Sequence, residues 1–130
     1  MNLLLDTHIF LWYILGSPQL APEWQAILRN PSNQIYLSVV SVWEASVKYY
    51  LGKLPLPAPP EIYLPLQRQQ HLISSLSLDE AAIAQMALLP ALHRDPFDRM
   101  LICQALDRHL TLVTVDTAIL AYPVPVLPVP

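Results

Sequence analysis

Apolar segments in this chain are short and alternate with longer amphipathic ones. Short apolar runs predict buried strands at 2–5, at 35–37, within 71–76 and at 110–114. The segments between them predict helices at 7–15, 22–29, 38–51, 60–70, 77–88 and 96 to about 109, then a short helix after 116 and a proline-rich final strand. Strands that alternate with helices favour a parallel sheet. The pattern therefore predicts an α/β sandwich.

Local signals mark several of the helix ends. Gly16 is placed to end the first helix, and Pro22 lies in the first turn of the second. Asp95 precedes Pro96 and is predicted to be an N-cap residue. Ser77 and Glu80 have the spacing of a capping box at the start of another helix.

Composition restricts the class of protein. The chain has 130 residues, which we interpret as one domain, 1–130, and it is 54% hydrophobic and 13% charged. This composition excludes general disorder. No apolar run approaches the ~20 residues that a membrane span needs, and no basic segment precedes the acid at position 6. With Cys103 as its one cysteine, the chain is expected to be cytoplasmic, with a buried reduced thiol.

Four acidic residues are placed where strands end or helices begin. They are Asp6, Glu44, Asp98 and Asp116. In an open parallel sheet, functional residues collect at the carboxyl ends of the strands, so these four carboxylates are expected to converge at one edge. Individually, three of them have ordinary structural explanations, because Asp6 and Asp116 can be helix caps and Glu44 can form a capping box with Ser41.

Asp98 is harder to explain by structure alone. The apolar face of its helix is defined by Leu101, Ile102, Ala105 and Leu106. Asp98 falls near the centre of that face, whereas Gln104 and Asp107 are predicted to point away. A charge on a buried face is unfavourable unless it is paired or binds a metal.

Four neighbouring carboxylates would repel one another without cations. Oxygen ligands favour hard cations, so Mg²⁺ or Mn²⁺ suits such a site better than Zn²⁺. Two such ions about 3.5–4 Å apart are suited to phosphodiester hydrolysis. They would also change the formal net charge of −3 to +1, which weakens the objection that an acidic chain is a poor nucleic-acid binder.

With these four acids, the sequence resembles PIN-domain ribonucleases, especially the VapC-type toxins of toxin–antitoxin pairs. The resemblance covers essentially the whole chain and rests on the blocks LLLDTHIFLW, SVVSVWEASVKYYLGKLPLP, HRDPFDRMLICQAL and LTLVTVDTAILAYPV. The most specific feature is the spacing of eighteen residues between Asp98 and Asp116, with Thr114 two residues before the second acid. The resemblance implies a three-layer α/β/α sandwich with a parallel sheet of about five strands.

The resemblance also implies an activity and its residues. It implies a metal-dependent endoribonuclease whose acidic quartet is Asp6, Glu44, Asp98 and Asp116, with Asp6 and Asp98 as the firmest ligands of Mg²⁺ or Mn²⁺. Thr7, Ser41 and Thr114 would be supporting hydroxyls. The implied partners are an RNA substrate, a small antitoxin that covers the active site, and a second copy of the chain.

Further residues have both a functional and a structural interpretation. Arg94, Arg99 and Lys48 are candidate phosphate contacts, although salt bridges or solvation explain the arginines and a helical ion pair with Glu44 explains Lys48. His8 is expected to be packed rather than catalytic. Trp43, Tyr49 and Tyr50 can stack on bases, but core or interface packing is the favoured interpretation.

Two other functions compete with the ribonuclease. A phosphatase that forms an aspartyl-phosphate would need a second acid two residues after its nucleophile, and Asp6 is followed by Thr7 and His8 instead. The remaining alternative is a catalytically silent PIN-like module that binds RNA or protein. The presence of all four acids counts against it.

Overall fold

The structure is a computed structural model that describes residues 1–92 and 95–130. Its strands are β1 (Asn2–Leu5), β2 (Gln34–Ser38), β3 (Ser74–Leu76) and β4 (Thr111–Val113). Its helices are α1 (Thr7–Leu15), α2 (Pro22–Arg29), α3 (Val39–Tyr50), α4 (Pro60–Gln70), α5 (Glu80–Ala84), α6 (Pro96–Arg108) and α7 (Thr117–Leu120), and a 3₁₀ turn (Gln85–Leu88) follows α5. None of these helices is long and apolar enough to cross a membrane.

The four strands form one parallel sheet in the order β3-β2-β1-β4. The central strand β1 aligns Leu3 with Ile35 on one side and with Thr111 on the other. Because all the strands run in the same direction, their carboxyl ends lie at one edge. The predicted α/β class with a parallel sheet is confirmed.

The expected fifth strand is reduced to a single bridge between Leu112 and Val126. Leu112 donates its N–H to the carbonyl of Pro125, and Leu127 donates to the carbonyl of Leu112, both at 2.9 Å. The prolines at 123, 125, 128 and 130 have no N–H to donate, so a longer ladder cannot form in this tail. The expected number of about five strands was therefore approximate, since the sheet has four strands and this one bridge.

Helices cover both faces of the sheet because alternate side chains of β1 point to opposite sides. Leu3 and Leu5 pack with Phe10, Trp24 and Leu64 in one apolar cluster. A second cluster contains Leu4 together with residues of α6, β4 and the chain that follows, among them Leu101, Ile102, Leu112 and Tyr122. These two clusters make the three-layer sandwich that was expected.

Three of the four predicted helix-end signals agree with the structure and one does not, and Pro22 begins α2 as expected. Gly16 ends α1 in the left-handed conformation at φ 63°, and Asp95 caps α6 by accepting hydrogen bonds from the N–H groups of Phe97 and Asp98. The predicted capping box of Ser77 with Glu80 does not form. Asp79 is the N-cap of α5, because its carboxylate accepts the N–H of Ala82 at 3.0 Å.

Candidate active site

The candidate site lies at the carboxyl edge of the sheet. Asp6 directly follows β1, and Asp116 comes three residues after the end of β4. Helix α3, which carries Glu44, starts directly after β2. Because β2, β1 and β4 are neighbours, these three acids arise from adjacent strand ends.

Asp6 is buried, with 4% of its surface exposed, and its carboxylate is held at both oxygens. Oδ1 accepts the N–H of Thr7 at 2.7 Å, and Oδ2 accepts the hydroxyl of Thr114 at 2.8 Å. Burial raises the pKa of Asp6, outweighing the two hydrogen bonds and the charge of His8, and the negative charge of Glu44 raises it further. Added positive charge would therefore stabilise the ionised form of Asp6.

Glu44 is 2% exposed and is bound by side chains on two sides. The oxygen of the Thr7 hydroxyl lies 2.7 Å from Glu44 Oε1 and 2.9 Å from the Ser41 hydroxyl. Since a hydroxyl carries one proton, Thr7 donates to the carboxylate and accepts from Ser41. Thr7 therefore links the start of α1 to α3 through Glu44.

The capping box of Ser41 with Glu44 is wrong. The N-cap of α3 is Ser38, whose hydroxyl oxygen accepts the N–H of Val40 at 3.0 Å. Glu44 is thus the sixth residue of α3 and lies in its second turn rather than its first. Helix capping does not explain why this carboxylate is buried.

Lys48 forms the predicted helical ion pair with Glu44. Its Nζ lies 2.6 Å from Glu44 Oε2. Burial lowers the pKa of Lys48, but the hydrogen bond and charge of Glu44, together with the charges of Asp95 and Asp98, outweigh burial and raise it. Lys48 is therefore within electrostatic reach of acids on both α3 and α6.

Asp98 is 7% exposed at the start of α6, as the helical pattern predicted. Asp116 is half-buried and caps α7, where its Oδ1 accepts the N–H of Ala118 at 2.9 Å. The hydroxyl oxygen of Thr114 accepts the N–H of Asp116 at 3.0 Å while the same hydroxyl donates to Asp6. Thr114 thus connects Asp116 to Asp6.

The acids share this edge without forming a tight cluster. Within residues 1–92 and 95–130, no three histidine, cysteine, aspartate or glutamate side chains are grouped closely enough to hold a metal ion. Three of these four carboxylates are nevertheless buried, and carboxylate oxygens are ligands that Mg²⁺ and Mn²⁺ prefer. The donor chemistry fits such an ion, and Lys48 provides the positive charge beside Glu44.

Three residues singled out from the sequence differ from expectation or lie outside the described part of the chain. His8 is exposed rather than packed, with its ring centroid 6.4 Å from that of Trp12. Arg99 is half-buried, and in the part of the chain that the structure describes its Nε has no hydrogen-bond partner. Arg94 lies outside the described residues.

Gln104 was missed as a buried residue. It was predicted to point away from the core, yet it is 1% exposed. It accepts the hydroxyl of Ser38 and donates from Nε2 to the carbonyl of Ser77 at 3.2 Å. Gln104 therefore connects α6 to the junction of β2 and α3. The sequence did not predict this contact because a polar side chain was assigned to the exposed face of the helix.

The chain belongs to the PIN domain family, whose model matches residues 3–124. The resemblance to PIN-domain proteins is thereby confirmed. The chain is also 42% identical over 62 residues to "Ribonuclease VapC16" of Mycobacterium tuberculosis. That match covers 48% of this chain and only 44% of the relative.

Solved structures share the fold across nearly the whole chain. The crystal structure of VapBC2 from Rickettsia felis bound to a DNA fragment from their promoter contains a similar chain, with a TM-score of 0.73, 18% identity and 98% of both chains covered. For FitAcB from Neisseria gonorrhoeae the TM-score is 0.65 and the identity is 23%, and the match covers 97% of this chain and 96% of that chain. For VapBC-1 from nontypeable Haemophilus influenzae the TM-score is 0.62 and the identity is 19%, and the match covers 92% of this chain and 90% of that chain. At these identities the likeness shows the fold.

Proposed function

We propose that this protein is a metal-dependent endoribonuclease that acts in the cytoplasm as the toxin of a toxin–antitoxin pair. The observation that carries the proposal is the burial of Asp6, Glu44 and Asp98 beside the carboxyl edge of a PIN-domain sheet. Buried charges are retained where they are paired or bind a cation. The partial match to a protein named as a ribonuclease agrees with this chemistry.

In this proposal the acids hold Mg²⁺ or Mn²⁺. Asp6 and Asp98 are the firmest ligands, and Glu44 and Asp116 complete the set directly or through water. When bound, such ions lower the pKa of a water molecule and stabilise the leaving oxygen of a phosphodiester. The raised pKa of Asp6 supports the assignment, because a nearby cation would relieve the unfavourable burial of its charge.

The remaining side chains orient these acids. The Thr114 hydroxyl and the Thr7 N–H fix the two oxygens of Asp6, and the Thr7 hydroxyl, itself bound by Ser41, fixes Glu44. Such supporting hydrogen bonds typically contribute 10- to 100-fold to metal affinity or activity. Lys48, Arg99 and Arg94 are the candidate contacts for substrate phosphates.

We further propose two protein partners. One is a small antitoxin that covers the active site, which the likeness to chains of the VapBC2 and VapBC-1 structures supports. The other is a second copy of this chain. A chain that is 54% hydrophobic, with exposed apolar side chains on α3 and α4, has surface available for both contacts.

Cleavage of total RNA by the purified protein tests the enzymatic proposal. With Mg²⁺ or Mn²⁺ we expect discrete fragments, which EDTA abolishes and Asp98→Asn reduces more than about 100-fold, beyond the loss typical of a supporting residue. Asparagine keeps the shape of the side chain and removes its charge. Asp107→Asn, on the same helix but outside the site, is the matched control and should cleave normally.

Two outcomes would contradict the proposal. Cleavage that survives Asp98→Asn would mean that the activity does not come from these acids. No cleavage with either metal, by a folded protein, would favour the catalytically silent module that binds RNA or protein.

A further inference from the structure

Two aromatic side chains, each one residue before a candidate acid in the sequence, contact each other. Trp43 on α3 is 60% exposed, which excludes the core half of the expected core or interface packing, and Phe97 at the start of α6 is half-buried. Their ring centroids lie 4.8 Å apart at an interplanar angle of 82°, an edge-to-face contact. Such a contact holds the indole in place while most of its surface still faces solvent.

Each ring of the pair belongs to the residue that precedes a candidate acid. Trp43 immediately precedes Glu44, and Phe97 immediately precedes Asp98, so each ring is one residue from a buried carboxylate. Helices α3 and α6, which carry Glu44 and Asp98, also contact each other directly. The aromatic pair and the acids therefore belong to the same junction of two helices.

A rigid, exposed indole beside a phosphodiester-cleaving site is suited to an unpaired nucleobase. Bases stack on aromatic side chains whatever their sequence, because each base has a π-face. Exposed apolar side chains at Val39 and Val47 lie one turn before and one turn after Trp43 on α3, but the indole itself contacts Phe97 at the start of the helix that carries Asp98. This contact favours a substrate base over a protein partner at Trp43.

We propose that Trp43, held by Phe97, is the stacking platform for a nucleobase next to the phosphate that is cleaved. The inference rests on the proposed ribonuclease function and adds a specificity-determining residue to it. A base that stacks on Trp43 cannot be paired in a duplex at the same time. The platform therefore selects RNA whose nucleotide beside the cut is unpaired.

Binding of short RNA to the full chain tests the platform. In an Asp98→Asn background that prevents cleavage, the probes are an octamer of adenosine ribonucleotides and an abasic octamer with the same backbone, each carrying a fluorescent label for anisotropy. We expect Trp43→Ala to weaken binding of the adenosine octamer about tenfold, within the range for loss of one stacked base. Trp43→Phe should recover most of the affinity, and binding of the abasic octamer should not respond to either change.

The matched control is Tyr50→Ala, which removes another exposed aromatic ring from the same helix and should change affinity less than about twofold. Equal losses for the two octamers, no loss with Trp43→Ala, or no binding by the parent protein would overturn the inference. An effect of Trp43→Ala on self-association alone, measured by sedimentation, would also overturn it and assign the residue to a protein interface.

Cleavage and binding measurements together separate the stacking platform from the nuclease activity. If the unmodified protein cleaves RNA with Mg²⁺ or Mn²⁺ while Trp43→Ala cleaves and binds equally well, the platform is wrong and the nuclease stands. If the unmodified protein does not cleave but binding depends on Trp43 and on the bases, the nuclease is wrong and the stacking site stands.

Discussion

Thr7 joins the parts of the candidate site, and its removal has a calculable effect. The side chain is 3% exposed, and its hydroxyl donates to Glu44 at 2.7 Å while accepting from Ser41 at 2.9 Å. Thr7→Val keeps the shape and the β-branching but removes the hydroxyl. Glu44 then loses a hydrogen bond inside the protein, where water cannot readily replace it.

The expected loss of stability follows from these contacts. A hydrogen bond to a charged group contributes about 1.5–3 kcal/mol, and Ser41 also loses its acceptor, so we expect a loss of about 2–3 kcal/mol. For a chain of 130 residues the entropy of unfolding is about 0.27 kcal/mol/K. The melting temperature should therefore fall by about 7–11 °C. RNA cleavage should fall about 10- to 100-fold, because Glu44 is no longer held in one orientation.

Thermal unfolding followed by circular dichroism, in EDTA, measures this effect. The matched control is Thr117→Val, since Thr117 is also the first residue of a helix and also follows an aspartate cap, but is exposed. Thr7→Ser, which retains the hydroxyl, should preserve more cleavage activity than Thr7→Val. A melting temperature for Thr7→Val within about 2 °C of that for Thr117→Val would mean that the buried hydroxyl of Thr7 adds little to stability.

Three further predictions address charge, reactivity and packing. Because the pKa of Asp6 is raised, ionisation of Asp6 reduces the stability of the fold as the pH rises above the ordinary pKa of 3.8. In EDTA, Asp6→Asn should therefore raise the melting temperature at pH 7.5, and this gain should shrink toward pH 4. A lower melting temperature for Asp6→Asn at pH 7.5 would contradict this. Cys103 is buried and burial raises its pKa, so a thiol reagent such as DTNB should react slowly until guanidinium unfolds the protein, and rapid labelling of the native protein would count against the structure. Leu101→Ala should reduce the free energy of unfolding by about 2–5 kcal/mol in denaturant titrations, against about 0.5 kcal/mol for the exposed Leu88→Ala, and equal effects would place Leu101 outside the core.

Sequence patterns predicted the fold well where the signals were local. The bounds of β1, α1, α2 and α4 match the predicted ranges, because apolar periodicity coincides there with clear end signals such as Gly16 and Pro22. The last strand failed because its prolines remove the N–H groups that a ladder needs. The sheet therefore keeps only the bridge at Val126.

Neither the capping box predicted at Ser77 nor the one considered as an alternative at Ser41 forms, and the two reasons are related. A serine with a glutamate three residues later is a local pattern, whereas the start of α3 is determined by sheet pairing. Strand β2 extends through Ser38, which aligns with Leu76 of β3, so the helix begins at once and Ser38 itself becomes the cap. At α5 the competing residue was Asp79, which is as good a cap as serine.

The candidate site was predictable as a set of positions but not as a set of contacts. The rule for strand ends placed the acids at one edge, and helical periodicity predicted the burial of Asp98. The bonds that orient Asp6 and Glu44 join residues far apart in sequence, as between Asp6 and Thr114, so they form only in the folded chain. The burial of Gln104 and the exposure of Trp43 likewise depend on how α6 and α3 pack together.

A crystal structure of the protein with Mn²⁺, with anomalous diffraction used to locate the metal, would identify the residues that hold it. We expect an anomalous peak within coordination distance of carboxylate oxygens of both Asp6 and Asp98, and Asp98→Asn should remove it. Anomalous peaks that lie only elsewhere, from a protein that cleaves RNA with Mn²⁺, would contradict the assignment of these acids as the metal ligands.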